Sequence, residues 1–105
     1  MAVLIKNLPK EERPRERLIN FGEQFLSNEE LIAIILRIGT KNISAKQLAS
    51  SILKEIKDIN ELNSMTINKL ISIKGIGLNK AIYIKAAIEL GKRVNQKVID
   101  NKIKI

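Results

Sequence analysis

The chain contains no cysteine, no histidine and no tryptophan. Without thiols there is no disulfide framework, and without thiols or imidazoles the usual zinc ligand sets, catalytic triads and histidine acid–base chemistry are excluded. Aromatic residues make up 3% of the chain against 45% apolar residues, so the core must be built from Ile, Leu and Ala. Stacking of bases on rings is correspondingly disfavoured, because the only rings are Phe21, Phe25 and Tyr83, and both Phe are expected in the core. The two prolines, Pro9 and Pro14, both lie near the start, so nothing after them bars a helix. No apolar run approaches the roughly 20 residues needed to cross a bilayer, and "MAVLIKNLPKEERPR" lacks a signal-peptide layout. A soluble, cytoplasmic protein with no cofactor and no membrane partner is expected.

Acidic residues are also scarce where it matters. The net charge is +8, but residues 1–60 carry 10 Lys/Arg against 8 Asp/Glu, whereas residues 61–105 carry 9 against 3. Such a half suits a polyanionic partner, although a lysine-rich solvated surface in a chain rich in Lys, Ile and Asn accounts for it equally well. At 105 residues the chain allows one domain with a real core and no second domain.

What is present is helical punctuation. Pro14 suits the first turn of a helix carrying Leu18, Phe21 and Phe25, with Gly22 near its end. Ser27 with Glu30, and Ser44 with Gln47, are capping-box pairs that open two further helices. The first of these has Leu31, Ile34, Ile35 and Ile38 as its apolar positions and is stopped by Gly39. The second has Leu48, Ala49, Ile52, Leu53 and Ile56. "DINELNSM" is turn-rich with one short helical turn. Thr66 caps a short helix with Ile67, Leu70, Ile71 and Ile73 inside, and after two glycines a longer helix runs to about Arg93. The segments are an N-terminal arm (1–12), a helical domain (13–93) and a tail (94–105) that reads as a linker, extended arm or short strand. The fold class is all-α, a compact bundle of five or six short helices. "ELIAIILRIG" and "KLISIKGIG" echo each other, either because isoleucine-rich amphipathic helices look alike or because a helix-turn-helix unit occurs twice, degenerate in its first copy.

The two glycines of "SIKGIGLNKA" are the most informative feature. The spacing is neither a P-loop nor a dinucleotide fingerprint. It matches a helix-hairpin-helix pattern: Ile73, Lys74, Gly75, Ile76, Gly77, three variable residues (Leu78, Asn79, Lys80) and Ala81. Gly75 and Gly77 allow a tight reversal and a close approach of phosphate to backbone N–H groups. Ile76 pins the turn to the core, and Ala81 lets the helices approach. The turn opens a helix whose first N–H groups lack internal acceptors, which makes an anion site. The candidate DNA contacts are therefore Lys74, Gly75, Ile76, Gly77, Asn79 and Lys80. Such binding addresses the phosphate backbone and is sequence-independent and salt-sensitive. The earlier corner, "RIGTKNIS", offers a second candidate contact through Arg37, Gly39, Thr40 and Lys41.

"LPKEERPRERL", "LSNEELIAIILRIGTKN", "SAKQLASSIL" and "IKGIGLNKAIYIKAAIELGKR", in that order, resemble the N-terminal region of the RadC family over residues 5–93. The resemblance implies a helix-hairpin-helix domain that precedes a JAMM-like domain with a histidine- and aspartate-based metal site. This chain stops where that domain would begin, so none of that metal chemistry transfers to a residue here. Leu78 stands where such hairpins often have proline. The family name points to DNA repair or recombination.

The leading expectation is a non-catalytic, largely sequence-independent DNA-binding module. The alternative is an interaction or regulatory domain that docks a JAMM-like domain or another partner through "MAVLIKNL" or "KVIDNKIKI". A helix-turn-helix regulator built on "ISAKQLASSILKEI" lacks a recognition helix in "DINELNSM". A glycosylase using Asp100 lacks a second domain to enclose a flipped base, and Glu11, Glu12, Glu16, Glu29 and Glu30 form no recognisable metal cluster, so no catalytic residue is assigned.

Overall fold

A computed structural model describes residues 13–103, with side chains through residue 96. Over that span the chain is all-α: α1 (Pro14–Phe21), a 3-10 turn (Glu23–Phe25), α2 (Asn28–Leu36), α3 (Ala45–Leu53), a second 3-10 turn (Ile59–Ser64), α4 (Ile67–Ile71) and α5 (Leu78–Ile103). The 1–12 arm lies outside the described residues. The starts follow the caps. Ser27 accepts from Glu30 N–H while Glu30 accepts from Ser27 N–H, Ser44 and Gln47 repeat the arrangement, and Thr66 accepts from Lys69 N–H. Asp58 with Glu61 makes a further capping box at the second 3-10 turn.

The core is aliphatic. Leu36, Leu48, Ile52 and Leu70 are its largest fully buried side chains, joined by Ile32, Ala33, Ala49, Ile76, Ala81 and Ile84. It lies between α2 and α3, which pack together along their length, and α5, which crosses α2 and also meets α4.

Three expectations are corrected. The buried stripe of α2 is Ile32, Ala33 and Leu36, one position away from the periodicity read in the sequence, and Ile38 is 71% exposed because the helix ends before it. Phe21 and Phe25 are not core residues: they are 56% and 65% exposed, because α1 and the following turn sit at the edge of the bundle. Segment 94–103 is neither a short strand nor an extended arm. It continues α5, which runs 26 residues to Ile103 rather than ending at about Arg93, since no glycine or proline after Gly91 interrupts it.

Candidate nucleic-acid interface

The turn between α4 and α5 is built by backbone chemistry that glycine permits. Ile76 N–H donates to Ile73 C=O at 3.0 Å, closing a four-residue turn whose third residue, Gly75, has φ +91°. A positive φ at that place alone identifies a type II turn, which favours glycine there. Ile76 is 3% exposed and anchors the turn. Gly77 differs from the expectation: it has no positive φ, and a Cβ on it would meet nothing within 4 Å. Its role is positional, as the residue whose C=O accepts from Ala81 N–H at 3.1 Å and starts α5.

Gly77 has no side chain to cap the helix it begins, and no acidic residue stands in the first turn of α5. Among the described residues no group accepts from the N–H groups of Gly77, Leu78, Asn79 or Lys80. By contrast, α2, α3 and α4 each have a serine or threonine across their first turn. The mouth of α5 is thus open, and four aligned donors and the helix dipole make it electropositive. Lys74, Gly77 and Asn79 are exposed and Lys80 is half-buried. Neither lysine forms an ion pair among the described residues.

The other corner is held differently. The last residue of α2 is followed by Arg37 with φ 74° and ψ −64°, and Ile38 N–H donates to Leu36 C=O at 2.9 Å. That is a γ-turn of the rare, strained kind, in a residue with a bulky side chain. Arg37, rather than Gly39, ends the helix. Gly39 is needed for a different reason: a Cβ there would lie 2.0 Å from the Ile43 carbonyl oxygen. Thr40 N–H donates to Ile43 C=O at 2.7 Å, and Thr40 Oγ1 accepts from Ile43 N–H at 3.1 Å. Arg37, Thr40 and Lys41 are exposed.

The structure brings the two corners together. A Cβ on Gly75 would lie 2.6 Å from Leu48 Cδ2 and 3.5 Å from both Ile43 Cδ1 and Thr40 Cγ2. Both candidate sets therefore belong to one surface. The sequence around each corner is one-signed: residues 31–54 carry Arg37, Lys41, Lys46 and Lys54, residues 62–88 carry Lys69, Lys74, Lys80 and Lys85, and neither stretch holds an acid. Of these, Lys46 lies 4.0 Å from Glu29 and Lys69 lies 2.9 Å from Glu55. Glu55 and Glu61 gather at the Thr66 end of α4, away from the turn.

Sequence reasoning passed over Arg13 and Arg15. Together with Arg37, Thr40 and Lys41 they line a cleft of about 470 Å³ between the start of α1 and the α2–α3 corner. The available signal was the pair of arginines flanking Pro14, a helix start that carries cations where acids are usual. On the inner side of α1, Arg17 Nε stands 2.7 Å from Glu30 Oε2 as an ion pair, with its N–H not aligned for a hydrogen bond. Burial would raise the Glu30 pKa, but the Ser27 hydrogen bonds and the Arg17 charge outweigh it and hold the carboxyl below its ordinary 4.5.

Among the described residues no group of three or more His, Cys, Asp or Glu is placed to hold a metal, and no helix is long and apolar enough to cross a membrane. The family described as UPF0758 N-terminal matches residues 5–82. A UPF0758 protein of Clostridium botulinum strain Hall is 50% identical over 101 residues, and one of Staphylococcus aureus strain Newman is 46% identical over 101 residues. In both cases the match covers 96% of this chain and 44% of the relative, so the chain spans less than half the length of these relatives. No solved structure matches it. With a match over most of its residues and relatives this similar, the chain belongs to the UPF0758 family, whose N-terminal, RadC-like region it represents.

Proposed function

We propose that this chain is a non-catalytic module that binds the phosphate backbone of DNA, with the α4–α5 turn acting as a helix-hairpin-helix contact and the α2–α3 corner beside it. The observation that carries the reading is the open start of α5: four donors without acceptors, no cap, no acid in the first turn, and Lys74 and Lys80 on either side. An anion supplies what the mouth lacks, and a nucleic-acid strand offers anions at regular spacing. The contacts reach sugar–phosphate rather than base edges, so discrimination among sequences is weak.

Amide chemical shifts on titration with a short blunt duplex at low salt test the reading. Changes centred on Lys74 to Lys80 and weakened by added salt are expected. Absence of binding even at low salt would sink it.

One observation favours a second reading, that of a docking domain. Ile19, Phe21 and Phe25 are 75%, 56% and 65% exposed, and Arg17 stands 5.9 Å from the Phe21 ring centroid and donates to the Phe25 backbone C=O. Exposed aromatic residues beside an arginine are the composition of interface anchors. A Phe21→Ser, Phe25→Ser variant that keeps DNA binding and loses association with the rest of a full-length relative would support docking alongside DNA contact.

A further inference from the structure

The cleft beside α1 differs in kind from the open helix start. Its floor is apolar, made by Ala33, Ile34 and Ala45, with Ile38, 71% exposed, at its edge, and its rim carries Arg13, Arg15, Arg37 and Lys41 with, among the described residues, the carboxylate of Glu16. At about 470 Å³ it falls within the range of roughly 300–1,000 Å³ typical of small-molecule sites. A floor of that kind suits a planar or aliphatic group, and a rim of that kind suits a phosphate. A nucleoside phosphate combines the two.

We propose that this cleft seats one unpaired nucleotide of a bound strand, its base against Ile34 and Ile38 and its phosphate between Arg37 and Lys41. The inference rests on the phosphate-backbone reading above and adds a preference for strand ends, overhangs or gaps. A base within a duplex is stacked on both faces and paired along one edge, so it cannot reach a floor inside a cleft; only a base out of the stack can.

Two features tie the cleft to the DNA surface. Thr40 lines it and also sits against Gly75, so the same residue forms a wall of the cleft and a contact of the α4–α5 turn. Its Oγ1 already accepts from Ile43 N–H, which leaves the hydroxyl hydrogen for an incoming phosphate oxygen. Arg37, moreover, is kept in a strained γ-turn at the rim. A side chain retained at a backbone cost is the pattern of a residue placed for contact. The polar side chains of the lining, Thr40 and Ser44, already accept from Ile43 N–H and Gln47 N–H, so a base meets mainly apolar groups and recognition is of an unpaired base of any identity.

The test compares a blunt duplex with the same duplex bearing a short single-stranded overhang, and follows amide shifts with thymidine monophosphate and with inorganic phosphate. The overhang is expected to tighten binding about tenfold, the scale of one base contact. The monophosphate should move Ile34, Ile38 and Ala45, and inorganic phosphate should leave them in place. Ile38→Gln, a change at an exposed residue, should remove the overhang's advantage and leave blunt-duplex affinity unchanged. Equal affinity for the two duplexes, or floor shifts produced as fully by phosphate alone, overturns the proposal. So does equal competition by an acidic, leucine-rich peptide, which would make the cleft a protein site. Blunt-duplex shifts at residues 74–80 report on the phosphate-backbone reading separately, so each reading can fail without the other.

Discussion

Gly75 presses on Leu48: a Cβ added to the glycine would come within 2.6 Å of the leucine Cδ2. Leu48 is fully buried in α3 and Gly75 lies in the turn before α5. The α4–α5 turn is therefore seated directly against the buried face of α3. The contact also separates two glycines that look equivalent in sequence.

Gly75→Ala must adopt φ +91° and displace Leu48. Left-handed backbone costs about 1–2 kcal/mol and overpacking a further 1–3 kcal/mol, so a loss of about 2–5 kcal/mol is expected in urea unfolding. Gly77→Ala meets open space at an ordinary φ and should change stability by less than about 1 kcal/mol. Gly77→Ala is thus the variant that tests phosphate approach in a folded protein. Equal losses at both positions would mean that the turn is not the one described.

Arg37 has the opposite relation to glycine. Its φ of 74° would be free of strain in glycine. Relief of about 1–3 kcal/mol of backbone strain outweighs the added unfolded-chain entropy of about 0.5–1 kcal/mol. Arg37→Gly should therefore raise stability by about 1 kcal/mol and weaken DNA binding by removing a rim cation. A variant less stable than the parent would show that the arginine side chain holds the corner.

The helices were legible because their starts are local chemistry: Ser27 with Glu30, Ser44 with Gln47, and Thr66 all cap as the sequence pattern says. The tight turn at Gly75 was legible for the same reason, since "KGIG" needs only neighbours to specify it. What the pattern misplaced depends on long-range packing. The α2 stripe moved one residue because α2 faces both α3 and α5, which a single-face periodicity does not represent. Phe21 and Phe25 lie outside because α1 packs on α2 alone among the other α-helices in any strength, and one neighbour cannot cover both rings. The cleft was invisible because its cations come from residues 13–15 and 37–41, which only folding brings together.

Glu30 gives a pH dependence of definite sign. Its carboxylate accepts from Ser27 N–H at 3.0 Å and pairs with Arg17, so its folded pKa lies below the unfolded value of about 4.5. The stabilisation is complete above that unfolded value and is lost as pH falls through the lower folded one. Thermal unfolding should therefore decline more steeply below pH 4.5 in the parent than in Glu30→Gln. At pH 7 the substitution should cost about 1–2 kcal/mol, the scale of a cap and a half-buried pair. Parallel acid limbs in the two proteins would assign the acid sensitivity elsewhere.

Under the proposed DNA contact, the salt dependence of affinity would count the phosphates that the surface engages. Each neutralised phosphate contributes about −0.9 to the slope of log affinity against log salt on duplex DNA. Lys74 and Lys80 flank the open start of α5 and have no carboxylate partner among the described residues, so each is free to meet a phosphate. Lys74→Gln and Lys80→Gln should each weaken low-salt binding and flatten the slope by about one. Lys92 stands further along α5, 3.9 Å from Glu89, and is already in an ion pair. Lys92→Gln should leave the slope unchanged. If all three substitutions flatten it alike, the attraction is a property of net charge spread over the helix, and the start of α5 is no privileged site.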